Sequence, residues 1–129
     1  MEVKHNEATK NRPAGSRDLD APFIVVDIPG LIRQLKSEKA WLTSDRNGIT
    51  AYKSGEHTIV LSGLHQGAKT GANSVKGFLT IQLMEGSIRA DIGGQQISLD
   101  GSGIICIHPE VTYNIEAASD AMLLLHDHS

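Results

Sequence analysis

The chain has 129 residues, enough for one domain with a real core and too few for two ordinary ones. Its formal net charge is −3, unevenly spread: residues 1–55 hold nine Lys/Arg against seven Asp/Glu, and residues 56–129 hold three against eight. An acidic main segment does not suit a phosphate backbone, so nucleic acid is not the expected partner, and no apolar run is long enough for a signal peptide or a membrane span, which gives the expectation of a cytoplasmic protein.

In chain order, residues 1–20 are polar, with Pro13 and Gly15 and scarcely an apolar side chain. They cannot offset their own ordering entropy, and a flexible N-terminal arm is expected. Residues 21–48 read as a short strand, Phe23–Val26, followed by one helix that Asp27 and Pro29 open. Ile28, Leu31, Ile32 and Leu35 fall on one face of that helix, which is expected to lie against the main domain as a cover. Trp41 is expected to close a core near the helix end.

From residue 49 to 129 the pattern is all-β. Short apolar runs alternate with glycine turns, and the strands read at 49–53, 57–65, 78–84, 87–92, 95–99, 104–107, 112–117 and 121–126. Gly93-Gly94 marks a tight hairpin, because primed turns need positive φ. The single cysteine, Cys106, stands in the run Ile104–Ile107, where burial as a small hydrophobe is expected.

A spaced motif runs through this segment: Gly67, five residues, Asn73-Ser74-Val75, three residues, Leu79, six residues, Gly86. A second set, Ser102, His108, Glu110, Tyr113 and Ala117, follows by spacing. Together they resemble the two motifs of small single-domain bacterial cupins, RmlC-like barrels that commonly form dimers. The resemblance implies a double-stranded β-helix, or jelly-roll barrel, over 49–129 with one short N-terminal helix. It also implies that a metal would be held at positions 73, 75, 79 and 113, normally by three His and one Glu.

This chain has Asn73, Val75, Leu79 and Tyr113 there. Val and Leu carry no donor atom, so no metal, no cofactor and no catalytic residue is expected at the usual place. Alternation places Leu79, Ile81 and Leu83 on one strand face and Tyr113, Ile115 and Ala117 on another, and the resemblance turns both inward. The expected lining of a small-molecule site is then Asn73, Val75, Leu79, Ile81, Tyr113 and Ile115, apolar with two polar tips. Tyr113 either contacts a ligand or packs in the core with its hydroxyl tied to backbone.

Two kinds of function follow. One is a metal-free barrel that binds a small apolar or amphipathic molecule, or serves as a homodimeric module paired through Phe23–Val26. The other is an enzyme: a metal-independent isomerase or epimerase with His65 as base and Tyr113 as acid, or a metal enzyme with non-standard ligands such as His65 and His108. His5, His126 and His128 lie in the arm and at the chain end, where chelation would carry no meaning.

Overall fold

The computed structural model describes residues 4–6 and 17–128, with side chains from residue 21. Within the arm, β1 (Lys4–Asn6) pairs antiparallel with β2 (Arg17–Asp20), a ribbon that composition gave no reason to expect. Backbone pairing of this kind needs no apolar side chain. The rest of the expected arm lies outside the described residues.

Phe23–Val26 is not a strand. Phe23 and Val25 are 81% and 85% exposed, and the run gains no ladder partner among the described residues despite its β-propensity. The helical region is present but divided. In α1 (Ile28–Ser37), Asp27 caps the N-terminus by accepting from the Gly30 backbone N–H at 3.1 Å, and Pro29 sits in the first turn. Glu38, in extended conformation, separates it from α2 (Lys39–Thr43).

All eight expected strands form: β3 (Arg46–Ser54), β4 (His57–Leu64), β5 (Phe78–Glu85), β6 (Ser87–Ile92), β7 (Gln95–Asp100), β8 (Gly103–Ile107), β9 (Tyr113–Ala117) and β10 (Ala121–His128). A five-stranded sheet in the order β3-β4-β10-β5-β8 faces a three-stranded sheet in the order β7-β6-β9. Gly93 and Gly94 both have positive φ and turn β6 into β7, as their sequence demands.

Two apolar clusters follow from strand alternation. Between the sheets, Leu64, Leu79, Ile81, Leu83, Ile88, Ile107, Ile115 and Leu123 are buried together. On the other face of the larger sheet, Ile49, Leu61, Met122 and Leu124 pack under Leu35 of α1 and Trp41 of α2, so the helices cover one end of that face. Gly63 makes this approach possible: a Cβ there would lie 2.8 Å from Leu35 Cδ2 and 3.0 Å from Trp41 Cζ3.

Cys106 is exposed rather than buried. Ile105 and Ile107 of β8 point into the barrel, which leaves Ile104 and Cys106 on the outer face of an edge strand beyond the reach of the helices. Among the described residues no helix is long and apolar enough to cross a membrane.

Candidate functional site

Register defines the two ends of the barrel. At one end Leu79 pairs with Ile107 and with Asp127, and Asp127 pairs with Thr58. On the facing sheet Tyr113 pairs with Ile92. The loop from β4 to β5 is fastened to β9 at this level, with Asn73 and Tyr113 exchanging backbone hydrogen bonds of 2.9 and 2.8 Å. Position 73 thus pairs with 113 on the smaller sheet, position 79 lies beside Asp127 on the larger one, and Val75 packs against the core cluster between the sheets.

The six expected lining residues divide by depth. Leu79, Ile81 and Ile115 are 3%, 0% and 1% exposed and form a closed apolar floor. Val75 and Tyr113 are half-buried and pack against it. Asn73 is exposed, and its amide donates to the carbonyls of Thr70 and Gly71 at 3.2 Å each, so its side chain is committed to its own loop.

One polar group at the mouth was not expected. Cross-strand partners share a sheet face, so Asp127 points inward with Leu79. Its Oδ1 is buried and has no hydrogen-bond partner among the described residues. Burial raises the Tyr113 phenol above its ordinary pKa, and the negative charge of Asp127 raises it further, so the phenol keeps its proton at neutral pH. The sequence signal for Asp127 was the alternation Leu123, Leu125, Asp127, which becomes visible once β10 is known to run to His128.

His65 lies at the opposite end. Leu64 pairs with Ala121, the far end of β10 from Asp127, so His65 and Tyr113 cannot act on one substrate atom. His65 does have a carboxylate partner, Asp120, with Nδ1 and Oδ2 3.3 Å apart, while Nε2 lies 2.7 Å from the Trp41 carbonyl oxygen. Its ring stacks on the Trp41 indole at a centroid distance of 3.6 Å. The Trp41 carbonyl raises the imidazole pKa most, Asp120 adds to this, and burial works against it. His108 meets Phe78 edge-on at the mouth end, on the outer face, so the structure does not bring His65 and His108 together either.

Among the described residues, cavities lie elsewhere: about 510 Å³ between residues 23–27, α1 and Ala51, about 220 Å³ beside Trp41 and Asp120, and about 190 Å³ over Arg89 and Asn114 on the outside of the smaller sheet. None is lined by Asn73, Val75, Leu79, Ile81, Tyr113 or Ile115.

Two facing antiparallel sheets with strands in this order make this a cupin fold, shared with solved cupin and RmlC-like cupin structures. A conserved protein of unknown function from Streptococcus pyogenes is similar over 96% of each chain, with a TM-score of 0.67 at 13% identity. A cupin superfamily protein from Desulfitobacterium hafniense is similar over 64% of this chain and 76% of its own, with a TM-score of 0.62 at 13% identity. Salicylate 1,2-dioxygenase from Pseudaminobacter salicylatoxidans matches 65% of this chain with a TM-score of 0.58 at 17% identity, but only 26% of its own length. No family model matches the chain, and no curated protein matches it in sequence.

Proposed function

We propose that this cupin-fold chain is a metal-free binding barrel that takes a small apolar or amphipathic molecule at its mouth and acts as a cytoplasmic homodimer. Its site is Asn73, Val75 and Tyr113 around a floor of Leu79, Ile81 and Ile115. The observation that carries this reading is the inward-facing Asp127 beside Leu79, whose Oδ1 is buried with no hydrogen-bond partner among the described residues, at the edge of that apolar floor. A buried acceptor left unmade costs free energy, and a ligand O–H or N–H with an apolar body would meet it. Val75 and Leu79, in turn, bring no donor atom to a metal.

The test is an NMR titration of isotope-labelled protein with n-hexanol, n-hexylamine and n-hexanoate at millimolar concentration. Shifts centred on Asn73, Val75, Leu79, Ile81, Tyr113, Ile115 and Asp127, larger for the two hydrogen-bond donors than for the carboxylate, are expected. Tyr113→Phe is then expected to weaken the best of them by about 0.5–1.5 kcal/mol with folding intact. If none of the three moves a mouth resonance, the binding reading is wrong. If Tyr113→Phe destabilises the fold without changing binding, Tyr113 is a core residue.

A further inference from the structure

β10 is a fully paired strand to its end, so the two histidines near the C-terminus are not on a frayed tail. His128 lies directly opposite His57 of β4, and His126 lies opposite Ile59, one row further along the same face. Thr58 and Asp127 point into the barrel, hence His57, His126 and His128 all project from the outer face of the larger sheet. The helices cover Leu61 and Leu124 on that face and stop short of the histidines, which stay accessible to solvent.

The rings of His57 and His128 have centroids 5.4 Å apart with planes inclined by 36°. Two imidazoles on one tetrahedral ion, with metal–nitrogen bonds of about 2.0–2.1 Å, place their ring centres roughly 5 Å apart. The pair therefore stands at chelating separation. His126 is 6.4 Å from His57 by the same measure, too far to share the ion as it stands and near enough to do so after a side-chain rotation. Among the described residues no three such side chains already converge on one point, so the third nitrogen comes only with that rotation.

We infer that His57 and His128, joined by His126, form a surface site for a first-row transition ion of the Zn²⁺, Ni²⁺, Cu²⁺ or Co²⁺ class. Among the described residues, the other cross-strand partners of these histidines are Ser54, Phe78, Ile59 and Thr80, none of them a carboxylate, and Tyr52 meets His57 edge-on at 5.7 Å. An all-imidazole donor set suits those ions and not Ca²⁺ or Mg²⁺. The site faces away from the barrel mouth and stands independently of any ligand there.

The experiment uses the full chain without an affinity tag, stripped with a chelator and titrated with Zn²⁺ by calorimetry and with Co²⁺ by visible absorption. One equivalent is expected, and His57→Gln or His128→Gln is expected to weaken it at least tenfold. His126→Gln is expected to weaken it less and to alter the Co²⁺ spectrum. His108→Gln, on the same face and outside the cluster, is expected to leave binding unchanged. A parallel NMR titration of the unmodified protein avoids any dependence on variant folding, with Zn²⁺ expected to shift the imidazole signals of His57, His126 and His128. Absence of Zn²⁺ binding, or binding that His57→Gln and His128→Gln leave intact, would overturn the assignment. So would Zn²⁺ shifts centred on His65 or His108.

Discussion

Trp41 and His65 stack at 3.6 Å, and the same imidazole reaches the Trp41 carbonyl oxygen through Nε2 and Asp120 through Nδ1. Both partners accept hydrogen bonds, so the ring meets both fully only when both nitrogens carry protons. His65 thereby fastens α2 to the end of the barrel remote from the mouth, with the indole face against the imidazolium.

A pH dependence follows from this arrangement. The folded pKa of His65 is raised above the unfolded value of about 6.5. Stability from the protonated ring is thus fully present below that value and is lost as pH rises through the folded pKa. Denaturant midpoints are expected to fall on going from pH 6 to pH 8, and His65→Gln is expected to flatten the curve. An unchanged slope in that variant would assign the pH dependence to another group.

Gly63 is expected to resist substitution. Gly63→Ala would press a methyl group against Leu35 and Met122, whose tips can move, and against the Trp41 ring, which His65 holds. A loss of about 1 kcal/mol, the low end for overpacking, is expected in urea unfolding. A neutral result would mean that α2 shifts outward without cost, which a change in Trp41 fluorescence would reveal.

The strands, the capped helix and the inward-facing row of β5 were legible because each carries a local signal: alternation at Leu79, Ile81 and Leu83, glycine pairs at turns, and Asp27 before Pro29. The failures were of another kind. Cys106 and Phe23–Val26 are apolar, but apolarity does not state whether anything lies opposite, and an edge strand with no cover leaves Cys106 in solvent. His65 and Asp120 are 55 residues apart, and only the β4–β10 register shows that they meet. Asp127 stayed hidden because its face depends on how far β10 extends, and a polar residue next to a chain end carries no alternation of its own.

Assembly can be tested through two exposed apolar residues that find no strand partner among the described residues. Phe23 and Val25 stand exposed beside the cavity of about 510 Å³ along α1, and burying them against a second copy would remove that apolar surface from water. Sedimentation is expected to give twice the 13.9 kDa chain mass at micromolar concentration. The double variant Phe23→Asp, Val25→Asp is expected to be a folded monomer. A wild-type chain that sediments as a monomer would sink the homodimer.

The register of the mouth has its own test, by restoring the donors that the cupin resemblance implies. Asn73→His, Val75→His, Leu79→Glu and Tyr113→His would be combined in a chain that also carries His57→Gln, His126→Gln and His128→Gln, so that metal on the outer face does not contribute. Leu79 is 3% exposed, and a carboxylate there without a counter-charge is costly, so the variant without metal is expected to lose several °C in Tm. Zn²⁺ bound only by the folded state would reverse that loss, since ligand affinity for the native state adds directly to stability. A variant that stays folded and shows no Zn²⁺-dependent rise in Tm would mean that positions 73, 75, 79 and 113 do not converge, and the proposed mouth would fall with them.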